Sequence, residues 1–197
     1  MAVTMENIKK LRTMTGAGML DVKKTLEEAD GDVEKAASLL RERGIAKAAK
    51  KAEREVSEGF VGSYVHHNGK IATLVELNCE TDFVARNEQF RQLARDIAIH
   101  VAMANPTYRG RDDVPEDIVE AERKVLVSQA KEEGKPDNVV DKIVEGRLGK
   151  FFQEYCLLEQ PFIKDDSKTV EKLLKESVAT IGENIRVGNF YRIAIGE

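Results

Sequence analysis

Apolar residues recur at helical spacing over the first forty-four positions, in three runs separated by glycine-containing turns. Thr4 and Asp32 are suited to cap the first and third helices, because their side-chain oxygens accept hydrogen bonds from free backbone N–H groups. Gly44 is expected to end the third helix. The pattern predicts a three-helix bundle over residues 1–44. Its inner stripes are Met5, Ile8 and Leu11, then Met19, Val22, Leu26 and Ala29, then Val33, Ala36, Ala37 and Leu40.

Residues 45–57 lack an apolar stripe but are rich in alanine and long charged side chains, which are strong helix formers. This composition predicts a basic helical linker after the bundle. Between Arg41 and Arg54 there are six basic and two acidic residues, hence a local charge of +4, whereas the whole chain carries −4. An acidic chain is not expected to bind nucleic acid directly, but its basic segment suits an acidic protein surface.

Alternating apolar residues begin near Glu58 and predict two strands, one over residues 60–67 and one over residues 70–79. Asn68 and Gly69 between them favour a two-residue type I′ hairpin, whose turn positions both need positive φ. A third strand is predicted near the carboxyl terminus from five alternating residues: Ile185, Val187, Tyr191, Ile193 and Ile195.

Four long helices are predicted between the second and third strands, the first capped by Asn87 and the second beginning at Pro115. Residues 157–163 are expected to be extended, and Asp165-Asp166 to form a solvated turn before the last helix. The inward positions are Phe90, Leu93, Ala94, Ile97, Ala98 and Val101; Ile118, Ala121 and Val125; Val140, Ile143, Val144, Leu148, Phe151 and Tyr155; and Val170, Leu173, Leu174, Val178 and Ile181.

These elements predict an α+β fold, in which residues 58–197 form a three-stranded, antiparallel sheet packed with helices on one face. Such a sheet keeps two free edges and an uncovered face. That arrangement favours a homodimer, with the carboxy-terminal strand as the expected contact.

Candidate catalytic and metal-binding patterns are weak. The chain has no phosphate-binding glycine loop and no His-Glu-x-x-His sequence, and His66 and His67 are expected to point to opposite faces of a strand. Cys79 and Cys156 are far apart and lack the close spacing of a zinc site, so we expect two free thiols in a reducing cytoplasm. No apolar run is long enough to cross a membrane, and we expect no secretory signal, because the first residues lack an apolar core followed by a small-residue cleavage site. We therefore expect a cytoplasmic protein without catalysis, cofactor or metal.

Residues 81–86, expected to form a short loop between the second strand and the following helix, contain the most informative side chains. Phe83 and Val84 have no obvious core to enter, and Asp82 precedes them. The residues alone leave open whether Phe83 covers its own core or enters another protein.

Two stretches resemble the signatures of the elongation factor Ts family: LRTMTGAGMLDVKKTL at residues 11–26 and ELNCETDFVAR at residues 76–86. The likeness continues through IAKAAKK at residues 45–51 and IGENI at residues 181–185, and so covers essentially the whole chain. The length resembles the short form of the family, which has one core module.

The resemblance implies a guanine-nucleotide exchange factor that binds the GDP form of the GTPase elongation factor Tu, expels GDP, and leaves when GTP enters. Thr81, Asp82, Phe83 and Val84 would then lie beside the partner's magnesium site. Phe83 would wedge between two helices of the GTPase, and Asp82 would disturb the contacts that hold the magnesium ion. The other implied partner-binding residues are Arg12, Met19, Leu20 and Lys23 in the bundle, Lys51 in the linker, and Ile181 and Gly182 before the last strand.

The sequence departs from the family pattern at Leu20, where many members have methionine. Both are flexible apolar side chains of similar volume, so docking is expected to survive. A single core module also implies a second copy, since full contact with the partner then needs a dimer.

Without the resemblance, the residues leave a second class of function open. A small bundle of the ubiquitin-associated type also suits an adaptor that binds ubiquitin-like or other small domains. RNA binding through residues 41–54 is a weaker alternative, because no aromatic residues alternate with the basic ones.

Overall fold

The computed structural model describes residues 3–197, apart from the side chains of Ile45 and Lys47. Met1 and Ala2, at the start of the predicted bundle, and the side chains of Ile45 and Lys47 in the predicted linker therefore lie outside the described residues. The helices are α1 Met5–Thr15, α2 Met19–Glu28, α3 Val33–Lys51, α4 Asp82–Ala85, α5 Glu88–Ala104, α6 Glu116–Glu132, α7 Asp137–Tyr155 and α8 Val170–Ile181. The strands are β1 Glu58–Val65, β2 Ile71–Cys79, β3 Pro161–Phe162, β4 Asp165–Thr169 and β5 Arg186–Ala194. The α+β prediction is confirmed.

Helices α1, α2 and α3 form the predicted bundle. Thr4 and Asp32 cap α1 and α3, since their side chains accept hydrogen bonds from Asn7 N and from Glu34 N and Lys35 N. Met5, predicted to face inward, is exposed instead, and it is the first residue of α1. The buried cluster consists of Ile8, Leu11, Val22, Leu26, Ala29 and Ala36.

The prediction that Gly44 ends the third helix is wrong, because α3 continues to Lys51. The predicted linker is helical as far as that residue, as a continuation of α3. A Cβ atom at position 44 would lie 2.8 Å from Ala179 Cβ on α8. The absence of a Cβ atom at Gly44 therefore allows α3 and α8 to approach closely. Sequence alone does not distinguish such a glycine in the interior of a helix from a glycine at a C-terminal cap.

The three-stranded antiparallel sheet has the order β1-β2-β5. Its hairpin differs from the predicted type I′ turn: Gly69 has φ +67°, but Asn68 is not in the left-handed region. His66 N donates to Ile71 O at 2.8 Å, so four residues lie in the loop, and the Asn68 side chain accepts from Lys70 N at 2.9 Å. A local side-chain contact thus replaces the second left-handed residue.

Helix α5 covers one face of this sheet. Thr73 Oγ1 on β2 donates to the carbonyl oxygen of Ala98 at 2.8 Å, and Gly62 on β1 lies so close to Ala94 that a Cβ atom would overlap its carbonyl. The predicted inward residues of α5 are buried: Phe90, Leu93, Ala94, Ile97, Ala98 and Val101. On all three strands, by contrast, large apolar side chains remain exposed, and Ile195 just beyond the end of β5 is exposed as well. The exposed strand residues are Val61, Val65, Leu74, Tyr191 and Ile193.

Helices α6 and α7 pack against each other around a cluster of Leu126, Ala130, Val140, Val144 and Leu148. The prediction that Ile118, Ala121 and Val125 face inward is wrong, as all three are exposed. Helix α6 turns the neighbouring stripe, through Val119, Leu126 and Ala130, toward α7. Tyr155, predicted inward on α7, is exposed at the end of its helix.

Residues 157–169 differ from prediction. Leu157–Glu159 forms a 3₁₀ turn, and β3 pairs with β4 in a second, two-stranded sheet. Asp165 and Asp166 therefore lie in β4, where the Asp165 carboxylate accepts from Ser167 Oγ at 2.6 Å. The contacts with Ser167 and Lys168 hold the pKa of Asp165 below its usual value.

The histidine pair also differs from prediction. His66 and His67 lie beyond the end of β1, with their ring centroids 4.2 Å apart in an edge-to-face arrangement. The strand alternation that would have separated the two rings has already ended at Val65.

The chain forms two compact units. Unit 1 contains the chain up to Phe60 together with Leu77–Leu93 and Lys172–Arg186, and unit 2 contains Val61–Glu76, Ala94–Glu171 and Val187–Glu197. The sequence-based domain boundaries at residues 44 and 57 stay a prediction. None of the helices described over residues 3–197 is long and apolar enough to span a membrane.

Candidate functional site

The predicted loop at residues 81–86 is a single helical turn, α4, whose first residues are held by a side-chain cap. Thr81 Oγ1 accepts a hydrogen bond from Val84 N at 3.4 Å, and Ala85 is buried beneath the turn. Four residues are too few to show a periodic pattern, so the sequence did not distinguish this turn from a loop. Phe83 points away from the protein and is 82% exposed.

Asp82 lies beside Phe83 at the start of α4. Its carboxylate is 3.0 Å from the guanidinium of Arg86, an exposed partner one helical turn later. The Val84 side chain is half-buried, so it packs partly on its own unit and is partly exposed to solvent. The turn thus presents one acid and one aromatic ring together, while its third and fourth residues anchor it.

Glu183, which sequence analysis did not identify as a functional residue, joins this turn to the segment after α8. One carboxylate oxygen accepts from Glu80 N at 3.1 Å and Thr81 N at 3.0 Å, and the other accepts from Thr81 Oγ1 at 2.7 Å. The only sequence signal was its place within residues 181–185 of the family resemblance.

Asn184 and Glu80 make a matching set of contacts. Asn184 N donates to Glu80 Oε1 at 2.6 Å, and Asn184 Nδ2 donates to Arg54 O at 2.7 Å. Arg54 in turn lies 3.4 Å from the Glu80 carboxylate. Three chain segments therefore meet at this point: the residues after α3, the residues before α4, and the residues after α8.

Lys51 and Gly182, both predicted partner-binding residues, contact each other. The Lys51 ammonium donates to the Gly182 carbonyl oxygen. Gly182 has φ +95°, a left-handed conformation that favours glycine and ends α8, and Ile181 before it is half-buried. Ile181 and Gly182 therefore directly precede Glu183, which contacts the residues before α4, and Lys51 reaches the same segment through Gly182.

The four predicted bundle residues lie on the surface of α1 and α2. Arg12 and Lys23 are exposed, and Lys23 is 4.0 Å from Glu27. Leu20 is 79% exposed and Met19 is 46% exposed, so Met19 belongs to the surface more than to the predicted inner stripe.

The bundle packs against α8 within unit 1. A Cβ atom at Gly16, between α1 and α2, would lie 2.8 Å from Thr180 Cγ2, and Arg41 is 3.3 Å from the Glu176 carboxylate. Bundle surface and α4 turn are therefore parts of one compact unit.

Both thiols are buried and unpaired with each other. The Cys79 thiol donates to Thr81 O at 3.2 Å, next to the α4 turn. Burial, with a smaller effect of the Glu183 charge, raises the pKa of Cys79 to about 11, and burial raises that of Cys156 to about 11. Neither is a thiolate near neutral pH, so neither suits nucleophilic chemistry.

No group of three or more metal-binding side chains is clustered in residues 3–197 as described. Asp82 faces Arg86 and is not part of any such group. The arrangement at α4 instead suits protein contact, since its exposed ring and carboxylate lie on a turn held by backbone hydrogen bonds.

Residues 2–197 match the family described as Elongation factor TS. The chain belongs to the elongation factor Ts family. Members of this family are the nucleotide exchange factors for elongation factor Tu. The chain is also similar to the protein called elongation factor Ts of Thermosipho melanesiensis, with 56% identity over 190 residues that cover 96% of this chain and 97% of that protein.

Two further elongation factor Ts proteins support the assignment. That of Carboxydothermus hydrogenoformans is 56% identical over 195 residues, covering 99% of this chain and 90% of its own length. That of Maridesulfovibrio salexigens is 53% identical over 197 residues, covering 100% of this chain and 96% of its own length. The sequence-based assignment to the elongation factor Ts family is confirmed.

Proposed function

We propose that this chain acts in the cytoplasm on GDP-bound elongation factor Tu and promotes exchange of GDP for GTP, without chemistry of its own on the nucleotide. The observation that carries the proposal is Phe83, a ring 82% exposed to solvent on a turn anchored by hydrogen bonds. A large apolar side chain so exposed is a candidate anchor for a partner protein.

In this mechanism Phe83 enters between two helices of the GTPase domain, and Asp82 disturbs the contacts that hold the partner's magnesium ion. Thr81 and Val84 complete the segment by fixing the turn that carries both side chains. Loss of the metal weakens GDP binding, because the ion neutralises phosphate charge. The factor stays bound until GTP enters.

Exchange requires that this protein and GDP each weaken the binding of the other to elongation factor Tu, and the two affinities fall by the same ratio. A ten-thousandfold loosening corresponds to about 5.5 kcal/mol of differential affinity. Full burial of a phenylalanine supplies about 1.5–3 kcal/mol. Phe83 is therefore insufficient alone, and loss of the metal has to provide much of the remainder.

The bundle supplies affinity that does not depend on the nucleotide. Arg12, Met19, Leu20 and Lys23 form an exposed, partly apolar surface suited to docking on another part of the GTPase. Lys51, Ile181 and Gly182 add partner contacts beside the α4 turn.

The wedge role is tested by the release of fluorescent GDP from elongation factor Tu. Phe83→Ala is expected to bind the partner but to release GDP more slowly at saturating factor. Val125→Ala is the matched control, because it also truncates an exposed apolar side chain but lies on α6. Unchanged release with Phe83→Ala contradicts the wedge role.

The docking role is tested by affinity. Met19→Asp places a charge on the proposed bundle surface and is expected to raise the dissociation constant for nucleotide-free elongation factor Tu. A wild-type dissociation constant for this variant contradicts docking through α2.

We also propose that the uncovered sheet face joins two copies of the chain. Its apolar side chains on β5 include Tyr191 and Ile193, which is 71% exposed, and the exposed Ile195 follows just beyond the end of the strand. A second copy presents the same surface, and pairing the two faces removes both from water. Ile193→Glu is expected to give a monomer in sedimentation experiments, and a persistent dimer contradicts this interface.

A further inference from the structure

We infer that Glu183 is a positioning residue for nucleotide exchange, and that it acts by fixing the α4 turn before the partner arrives. This inference rests on the proposed function. Glu183 does not carry the exposed ring or the acid that meets the partner. It holds the residues immediately before them, through three hydrogen bonds to one carboxylate.

The carboxylate satisfies the donors at the entry to α4. Glu80 N and Thr81 N both point at Oε2, at 3.1 and 3.0 Å, and Thr81 Oγ1 donates to Oε1 at 2.7 Å. An ionised carboxylate only accepts hydrogen bonds, so it accommodates three converging donors without conflict. An amide or an alkyl group at this position does not.

Thr81 passes this constraint to the ring-bearing turn. Its hydroxyl hydrogen is directed to Glu183, which leaves a lone pair to accept from Val84 N at 3.4 Å. Phe83 lies between those two capped residues. Its direction is therefore set by a chain of contacts from Glu183 to Thr81 to Val84.

The same contacts fix the turn against the rest of unit 1. Asn184 N donates back to Glu80 Oε1 at 2.6 Å, so residues 183–184 and 80–81 are bonded in both directions. Asn184 Nδ2 also reaches Arg54 O, just after α3. A preformed turn avoids losing conformational freedom at binding, so more of the Phe83 contact is available to weaken GDP.

The test measures two quantities, the maximal rate of fluorescent GDP release at saturating factor and the factor concentration at half-maximal rate. We expect Glu183→Ala to lower the maximal rate about tenfold, while the half-maximal concentration changes less than about threefold because the bundle surface is intact. Glu183→Gln is expected to fall between wild type and Glu183→Ala, since its carbonyl oxygen still accepts the two backbone bonds. Glu159→Ala is the matched control, because its carboxylate also accepts hydrogen bonds, from Arg111, but lies in unit 2.

Thr81 provides a conservative rescue. Thr81→Ser keeps the hydroxyl and is expected to retain a near-wild-type maximal rate, whereas Thr81→Val keeps the shape but is expected to resemble Glu183→Ala. If Thr81 had only a structural role, the loss of maximal rate would follow the change in side-chain volume instead. Equal maximal rates for the serine and valine variants overturn the inference.

Hydrogen exchange gives a readout that does not depend on activity. In Glu183→Ala the amides of Glu80 and Thr81 are expected to exchange faster, with the bundle amides unchanged. A wild-type maximal rate for Glu183→Ala overturns the inference, and so does a variant in which all of unit 1 loses protection. If the wild-type chain itself does not accelerate GDP release, the proposed function has failed. If the wild-type chain accelerates release but Glu183→Ala does so equally well, only the inference about Glu183 has failed.

Discussion

Phe83 in unit 1 and Phe162 in unit 2 occupy short segments that are both anchored by polar side chains, yet their rings have opposite environments. Phe83 is 82% exposed, and Phe162 is 5% exposed. The segment before Phe83 is held by the Glu183 carboxylate at the surface. The residue after Phe162 is held by a buried imidazole, because Ile163 N donates to His100 Nδ1 at 3.2 Å.

The difference shows that exposure of Phe83 does not come from a loosely held segment. Its turn is held by directed hydrogen bonds, as is the segment that buries Phe162, where His100 Nε2 also donates to Gln160 Oε1 at 3.0 Å. Tight anchoring with an exposed ring indicates a contact surface, whereas tight anchoring with a buried ring indicates a core. Four measurements that compare the two units test this distinction.

The largest expected effect concerns the two rings themselves. Phe162→Ala is expected to lower the free energy of unfolding by about 3–5 kcal/mol, because it removes a buried aromatic side chain. Phe83→Ala is expected to change it by less than about 0.5 kcal/mol, as for other exposed positions. Urea unfolding of both variants measures the contrast, and a large loss for Phe83→Ala indicates that its ring packs on its own unit.

Two helix-interior glycines give the next largest contrast. Gly44→Ala is expected to destabilise the protein by about 1–3 kcal/mol through overpacking, since its Cβ would meet Ala179 at 2.8 Å. Gly146→Ala on α7 is expected to stabilise it by about 0.5–1 kcal/mol, because a Cβ there meets nothing within 4 Å. Urea unfolding measures the change in unfolding free energy for each substitution, and equal effects of Gly44→Ala and Gly146→Ala contradict close packing of α3 on α8.

Mild acid is expected to weaken unit 2 first, because the buried His100 lies there. Burial lowers the pKa of His100 below its usual value, although the contact with Gln160 opposes this. The His100 ring faces the Gln160 side chain, the backbone N–H of Ile163 and the Phe162 ring. A neighbouring ion pair joins Asp96, one helical turn before His100 on α5, to Lys164, the residue after Ile163. Below about pH 6.5 the unfolded chain binds a proton that the folded chain does not, so stability falls as the pH falls.

This pH effect is measured by urea unfolding at pH 7.5 and pH 5.5. One such group changes the unfolding free energy by at most about 1.4 kcal/mol per pH unit. His100→Gln is expected to show a smaller drop than wild type between the two values. An equal drop in both proteins means that His100 does not cause it.

The smallest expected effect is a difference in thiol labelling. Cys79 and Cys156 are both buried with a pKa of about 11, so iodoacetamide at pH 8 is expected to label either thiol slowly in the folded protein. Glu183→Ala is expected to speed labelling of Cys79, which contacts Thr81, and to leave Cys156 unchanged. Mass spectrometry of the two peptides measures this, and parallel labelling indicates that both units open together.

The sequence was most informative where a pattern repeats. The stripe from Phe90 to Val101 extends over three turns, and every predicted inward residue of it is buried. Thr4 and Asp32 were identifiable as caps because their contacts lie within three residues along the chain. Phe83 was identifiable as unusual because a large apolar residue followed a strand without a stripe to join.

Most of the failures depend on partners elsewhere in the fold or on elements too short to show a pattern. Glu183 contacts residues more than one hundred positions earlier, and Gly44 is placed by Ala179, so neither role follows from local pattern. β3 has two residues, too few for alternation to be visible. On α6, two possible stripes lie side by side, and only packing against α7 selects Leu126 and Ala130 over Val125.

The continuous helix α3 works as a fixed spacer within unit 1. Its 19 residues run without a break from the cap at Asp32 to Lys51, beside Gly182. An α-helix advances about 1.5 Å and turns about 100° with each residue. One inserted or deleted residue in α3 would therefore change the spacing only slightly but rotate the bundle by more than a quarter turn, so its length is constrained by angle more than by distance.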